Sequence, residues 1–276
     1  MRTLKVALYL AGTVFFVAVL LTSCGGRRGD ESRAITGNKE RDELSARLAG
    51  DPAEYPVPTS VEITELLYEA GAPYILGISN PAANADRYFT ERSKALNLGV
   101  YAADLSYAAT YEMNQEIRKY LEVSKRLIDE LNISTPFNRQ FVEQVEKNLD
   151  DKDALIHLVS DSFYDTYGFL TENHRDDLSL LVIAGSWIEG MYLTSQIALG
   201  ARDNTRITDI IIEQNEPLEK LLTLMEDYDD NDDTKEIYLK LSDIHSFLKS
   251  QRSPMTSQAL GDFAGMIENL RTEIVY

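Results

Sequence analysis

Two carboxylate and tyrosine pairs have the spacing in this chain that best suits binding chemistry. Asp104 is followed three residues later by Tyr107, and Glu189 is followed three residues later by Tyr192. Residues at i and i+3 lie on one face of a helix, so each pair would present an acid beside a phenol. A group of this kind in a helical core can bind a small polar ligand or a cation.

The two pairs coincide when Gly99 is aligned with Ala184, which would place them at equivalent positions in two halves of a bundle. One interpretation is a polar site between the core helices that binds a small molecule or a cation. The other interpretation is structural: each acid pairs with a nearby arginine or hydroxyl, because buried carboxylates are tolerated only with partners. The sequence leaves both interpretations open.

Other chemical patterns lack the spacing that they require. None of the three histidines lies in a Glu-x-x-His pair, which a ferritin-like dimetal site needs. The acidic run that begins at Asp227 has Asp232 where a calcium loop needs glycine and Tyr238 where it needs glutamate. The spacing also assembles no nucleophile, base and orienting group. We therefore expect no metal and no cofactor, and a non-catalytic role is favoured over an enzyme.

The single cysteine, Cys24, follows a segment typical of secreted proteins. Arg2 and Lys5 precede the apolar run Val6–Leu20, and small residues follow it, which predicts a signal peptide over residues 1–23. The apolar run is shorter than the roughly 20 residues of a membrane-spanning helix. Leu21-Thr22-Ser23-Cys24 resembles the lipobox of bacterial lipoproteins, which implies that Cys24 is lipidated and becomes the mature N-terminus.

Charge narrows the range of partners. The chain has a formal charge of −18, and because residues 1–23 hold two basic and no acidic side chains, the part from Cys24 onward carries −20. Nucleic-acid binding depends on clustered lysine and arginine, and anionic lipid surfaces also attract basic patches. We therefore expect no nucleic-acid partner, and we expect membrane attachment only through the acyl chains on Cys24.

The rest of the chain predicts a tether followed by helices. Residues 24–58 hold the predicted lipidated cysteine and a flexible tether, and residues 59–276 form a helical domain. Apolar residues recur at i, i+3, i+4 and i+7, which predicts an all-α, multi-helix bundle of about seven to nine helices. Amphipathic stripes occupy residues 117–131, 137–149, 155–163, 207–225 and 237–248.

Several residues predict where helices end. Thr135 before Pro136 is typical of a helix start, and residues 173–177 form a polar turn. Gly200 is expected to close a helix. Pro217 lies inside a helical stretch and should kink or split it.

Two segments, 94–111 and 178–199, are apolar on nearly all faces and are predicted to be largely buried central helices. The second is long enough to cross a bilayer. A carboxylate such as Glu189 at mid-membrane costs about 2.5 to 3.5 kcal/mol, and the segment also carries several hydroxyl and amide side chains. A buried helix in a soluble bundle is therefore favoured.

The block Ser93–Leu105, together with Ile183–Glu189, is similar to segments of uncharacterised all-helical lipoproteins of Gram-negative bacteria. This resemblance implies a shared fold and brings no activity. Gly25 stands where lipoproteins retained in the inner membrane carry aspartate, which favours the outer membrane. The expected function is a lipid-anchored, non-catalytic binding or scaffold module with an envelope protein as partner; the alternative is a small-ligand or cation-binding lipoprotein with its pocket at the two acid and tyrosine pairs.

Overall fold

The computed structural model describes residues 60–133, 137–228 and 231–276, without the side chains of residues 137–139. The predicted signal peptide, Cys24, the tether and the helix start at Thr135 and Pro136 lie outside these residues. The described part of the chain contains no strand, which confirms the all-α prediction. Its helices are α1 (Ser60–Glu69), a short 3-10 helix (Ala82–Arg87), α2 (Glu91–Thr110), α3 (Asn114–Glu130), α4 (Phe137–Lys147), α5 (Lys152–Glu172), α6 (Asp176–Gly200), α7 (Thr205–Glu213), α8 (Asn215–Glu226), α9 (Asp232–Lys249) and α10 (Ser257–Val275).

The described residues form ten α-helices, one more than the upper end of the predicted range. One reason is that the stretch around Pro217 is split, with α7 ending at Glu213 and α8 beginning at Asn215. Pro217 falls in the first turn of α8, where its missing N–H has no intrahelical acceptor in any case. The predicted boundaries at the 173–177 turn and at Gly200 are also confirmed.

Side-chain caps explain where several helices begin. Thr90 accepts a hydrogen bond from the backbone N–H of Ser93, and the Ser93 hydroxyl accepts one from the backbone N–H of Thr90, so α2 starts with a reciprocal capping pair. The Asp151 side chain accepts a hydrogen bond from the backbone N–H of Ala154 and caps the start of α5. These local contacts satisfy N–H groups that have no partner inside their helix.

The two predicted central helices, α2 and α6, make the most extensive helix–helix contact in the bundle. Gly99 and Gly185 allow this, because a Cβ at Gly99 would lie 2.0 Å from the Val182 carbonyl oxygen and one at Gly185 would lie 1.9 Å from that of Leu96. Gly99 thus lies against Val182, three residues before Gly185, and Gly185 lies against Leu96, three residues before Gly99. The two glycines therefore occupy equivalent positions in the contact. The sequence alignment had instead matched Gly99 with Ala184, the residue before Gly185.

Helix α6 is the one helix among the described residues that is long and apolar enough to cross a membrane. An 18-residue apolar stretch of this helix is 94% buried inside the bundle. Neighbouring helices therefore cover the surface that a lipid would otherwise contact. Trp187, near the middle of α6, is completely buried.

Candidate functional site

The structure brings Asp104 and Glu189 together in one buried polar cluster with Arg271, and we call these three residues the acid–arginine cluster. Asp104 comes from α2, Glu189 from α6 and Arg271 from α10. Both acids are fully buried and Arg271 is 5% exposed. The guanidinium donates from Nε to Oε2 of Glu189 at 2.5 Å and from Nη2 to Oε1 at 2.9 Å. This two-point geometry is the strongest arrangement for an arginine and a carboxylate.

Asp104 is fully buried and has a different set of partners from Glu189. Its Oδ2 accepts the backbone N–H of Asn80 at 3.0 Å. The Ser79 hydroxyl lies close enough to lower the pKa of Asp104, although it does not reach good hydrogen-bond geometry. Oδ1 of Asp104 has no donor among the described residues. Asp104 is also within hydrogen-bonding reach of Glu189.

The cluster holds two acids but one cation, and the surplus negative charge is removed by a proton. Burial raises the pKa of Asp104 well above its usual range, and the nearby charge of Glu189 raises it further, while Arg271 opposes both. Burial also raises the pKa of Glu189, against the opposing effect of Arg271. We assign the shared proton to Asp104, because both oxygens of Glu189 already accept from Arg271. The cluster is then neutral overall, as burial requires.

Tyr192 belongs to the edge of this cluster. The guanidinium carbon of Arg271 lies 4.0 Å from the centroid of the Tyr192 ring, which is a close cation–π contact. Burial raises the pKa of the Tyr192 phenol above its usual value. The ring therefore packs close to the guanidinium, whose Nε and Nη2 groups bind Glu189.

Tyr107, the fourth residue of the predicted site, does not join the cluster. Its hydroxyl accepts the N–H of Ile75 at 2.8 Å and donates to the Pro73 carbonyl at 3.3 Å. Its ring stacks on Tyr74 with centroids 4.5 Å apart. Burial raises its pKa to about 12. Tyr107 thus fixes the segment that follows α1, while Asp104 on the same helix faces the acid–arginine cluster.

A second set of buried polar contacts continues from the cluster to the end of α10. The Asn97 side-chain amide donates to the Ile274 carbonyl at 2.6 Å, and the Tyr88 hydroxyl donates to the Val275 carbonyl at 3.2 Å. Asn80, whose N–H binds Asp104, also donates from its side chain to the Tyr88 hydroxyl at 3.0 Å. The last carbonyls of a helix have no intrahelical donor. Asn97 and Tyr88 bind these carbonyls and so hold the end of α10 against α2 and the segment before it.

Arg271 is the functional residue of the cluster that sequence reasoning missed. A signal for it exists, because Ile267, Arg271 and Ile274 follow each other at i, i+4 and i+7 on the buried face of α10. A single cation in such an apolar stripe requires a buried anion. The sequence could therefore have predicted a buried acid partner for Arg271, but not which acid.

The arrangement holds helices together and leaves little room for chemistry on a ligand. Arg271 already supplies the cation that the two acids would otherwise attract. One pocket lies among α2 to α6 and another between α9 and α10, and none of the cluster residues lines either of them. Within the described ranges, no three histidine, cysteine, aspartate or glutamate side chains are grouped so as to hold a metal.

Comparison with known proteins adds no family to this geometry. No family model matches the chain, and no curated protein or solved structure matches it. The likeness to helical lipoproteins of Gram-negative bacteria therefore stays a prediction from the sequence blocks around Gly99 and Gly185.

Proposed function

We propose that this chain is a lipid-anchored protein of the cell envelope whose helical bundle is a non-catalytic binding or scaffold module. The observation that carries the proposal is the segment Leu21 to Cys24, which places the only thiol of the chain directly after an apolar signal-like run. Acylation of Cys24 would attach the acidic bundle to a membrane that its own charge does not attract. Gly25 directs the protein to the outer membrane.

The polar core supports a non-catalytic role. Glu189 and Arg271 are hydrogen-bonded to each other, which joins α6 to α10, and Asp104 accepts the backbone N–H of Asn80. Residues used in this way join elements of the bundle and are not presented to a substrate. This matches the structural interpretation of the two acids, with an arginine as their partner.

A surface suited to a partner lies where the C-terminus meets the start of α2. The Arg87 guanidinium sits 5.8 Å from the ring centroid of Tyr276, and Tyr88 binds the carbonyl of Val275, so the two segments run close together. Phe89 is 82% exposed and Tyr276 is 65% exposed. Phe89 follows Tyr88 in the first segment and Tyr276 follows Val275 in the second, and aromatic side chains are enriched at protein-binding surfaces. We propose that an envelope protein binds this aromatic surface, formed by Phe89 and Tyr276.

Lipidation is tested by substituting the acceptor thiol. In cells fed an alkyne fatty acid, the wild-type chain should be labelled and Cys24→Ala should not be labelled and should accumulate as the precursor. Ser23→Ala is the matched control, because it keeps a small residue before the thiol and should be labelled normally. Normal processing of Cys24→Ala would refute the anchor.

Partner binding is tested with a photo-crosslinking amino acid placed at residue 89 or, as a control, at exposed Thr223 on α8. We expect a discrete adduct in whole cells from position 89, its loss in Tyr276→Ser, and no such adduct from position 223. The same adducts from both positions, or none from position 89, would count against the aromatic surface as a binding site.

A small-ligand-binding lipoprotein is the second candidate function. The observation that favours it is an apolar pocket among α2 to α6. This pocket is separate from the acid–arginine cluster, so the ligand would not contact Asp104 or Glu189.

A further inference from the structure

An open groove runs between α9 and α10, and we call it the α9–α10 groove. Lys240 of α9 binds Glu273 of α10, and the Phe247 ring stacks on Phe263 with centroids 6.4 Å apart, so the two helices run antiparallel. The centre of a water molecule can occupy about 190 Å³ of this groove. That is space for roughly a dozen water molecules, which is enough for a small organic ligand.

The groove has an apolar floor and a polar rim. Its seven lining residues lie at i, i+3, i+4 or i+7 on their helices, so each helix contributes one face. They are Lys240, Asp243, Ile244, Met266, Asn269, Leu270 and Glu273. Ile244 is 2% exposed and Leu270 is 3% exposed, whereas Asp243, Asn269 and Glu273 are exposed. A ligand with an apolar middle and polar ends matches this distribution.

One end of the groove already binds a primary ammonium group. The Lys240 ammonium donates to Oε1 of Glu236 at 2.8 Å and, across the groove, to Oε2 of Glu273. The hydrogen bonds to Glu236 and Glu273 raise the pKa of Lys240. A carboxylate has about four acceptor sites, so Glu273 can accept a second ammonium through Oε1. We call this contact between Glu236, Lys240 and Glu273 the lysine bridge.

The other end of the groove holds an acid and an amide that the bundle does not use. No hydrogen bond or ion pair joins the side chain of Asp243 or of Asn269 to another described residue. Asn269 lies four residues before Glu273 on α10, which is about 6 Å along the helix axis. A four-carbon chain with an amino group at each end has nearly the same distance between its two nitrogens.

The charge of the groove favours a dication. The lysine bridge and the rim hold one ammonium, that of Lys240. They also hold three carboxylates, those of Glu236, Asp243 and Glu273, which leaves a net charge of −2. Arg92 contacts Glu236 and one further acid of α9, so this contact leaves the balance unchanged. The whole chain, at −18, also raises the local concentration of cations.

We propose that the α9–α10 groove binds a short aliphatic diamine of about four carbons. One ammonium of the ligand donates to the Asp243 carboxylate and to the carboxamide oxygen of Asn269. The other ammonium donates to Oε1 of Glu273, and the methylene chain lies on Ile244 and Leu270. The two charges of the ligand balance those of the groove. This inference goes beyond the proposed anchor and aromatic surface and depends on neither of them.

The test follows the methionine methyl groups by NMR. The full chain with its anchor is purified in a non-ionic detergent at low salt and pH 7, with isotope-labelled methionine. Diaminobutane with an amino group at each end is added. We expect the methyl signal of Met266, which lines the groove, to shift and saturate, while that of Met225, buried on α8, stays in place. Butylamine has the same chain but one ammonium, and should bind at least fivefold more weakly.

Two variants separate binding in the groove from general attraction by charge. Asp243→Asn should weaken binding at least fivefold. Glu268→Gln is the matched control, because Glu268 is an exposed acid of α10 that does not line the groove; its affinity should stay within twofold of the wild type. Trp187 fluorescence verifies that both variants are folded.

Four results would overturn the proposal. The first is a Met266 signal that does not saturate, and the second is equal weakening by Asp243→Asn and Glu268→Gln, since the diamine would then respond only to overall charge. The third is binding of butylamine as tight as that of diaminobutane. The fourth is displacement of diaminobutane by a lower concentration of magnesium ions, which would make the groove a metal site.

Discussion

The two buried acids are expected to respond very differently to neutralisation. Asp104→Asn replaces a protonated carboxyl with an amide of the same shape, which can donate to Glu189 and still accept the N–H of Asn80. Glu189→Gln instead removes the charge that pairs with Arg271. If the shared proton resides on Asp104, the first substitution preserves the charge state of the cluster and the second destroys it.

The magnitudes follow from the burial of the cluster. Breaking a buried ion pair by removing one partner costs about 3 to 5 kcal/mol. We expect the lower figure, about 3 kcal/mol, for Glu189→Gln, because Asp104 can then ionise and partly balance Arg271. For a domain of this size that corresponds to a fall in Tm of roughly 6 to 12 °C. Asp104→Asn keeps its hydrogen bonds and should change the free energy of unfolding by less than about 1 kcal/mol at pH 7.

The pH dependence has a defined sign. The pKa of Asp104 is raised in the folded protein, so the folded state holds a proton that the unfolded chain releases near its ordinary pKa of about 3.9. The stabilisation from this proton is complete below that pKa and is lost as pH rises through the folded-state pKa. Asp104→Asn cannot lose a proton there. Its stability relative to the wild type should therefore increase with pH, by at most about 1.4 kcal/mol per unit.

Urea unfolding at pH 5 and pH 8 measures these differences. Trp187 is the only tryptophan and is fully buried on α6, so its fluorescence reports unfolding of the central helix pair. The assignment of the proton would be refuted if Asp104→Asn destabilised the protein more than Glu189→Gln at pH 7. It would also be refuted if the stability of Asp104→Asn relative to wild type decreased with pH.

Four further substitutions, one of them a control, test the packing and polar contacts. Gly185→Ala places a Cβ 1.9 Å from the carbonyl of Leu96, and we expect a loss of about 3 kcal/mol or more in urea unfolding; Gly265→Ala, which meets nothing within 4 Å, should instead gain up to about 1 kcal/mol. Ser124→Ala removes an unpaired buried hydroxyl and should raise the free energy of unfolding by about 1 kcal/mol; a loss would show that the hydroxyl is paired. Asn97→Ala should speed amide hydrogen exchange in the last turn of α10, at a cost of about 1 to 3 kcal/mol, and unchanged exchange there would contradict its role.

The helices could be predicted because the residues that specify each helix are close together in the sequence. The apolar runs of α2 and α6, the glycine that closes α6 and the proline at the start of α8 act through their immediate neighbours. The pairing of Glu189 with Arg271 joins residues 82 positions apart, and no local pattern specifies which acid faces which arginine. The sequence placed Tyr107 and Asp104 in one site, but their side chains reach different partners for a geometric reason. Residues at i and i+3 share a face but are offset around the helix axis, so the phenol reaches the segment at Pro73 while the acid reaches α6 and α10.

The acid–arginine cluster is best understood as a device that fixes one position for α10. Apolar side chains on this helix would tolerate a shift along α6, because one aliphatic surface can replace another at small cost. The two-point contact between Arg271 and Glu189 does not tolerate it, since a shift would leave both charges buried without partners. Asn97 and Tyr88 bind the final carbonyls of the same helix and would be lost together. The hydrogen bonds that fix α10 thus join residues of the protein to one another. We therefore interpret the two acids singled out by their spacing as residues that position α10.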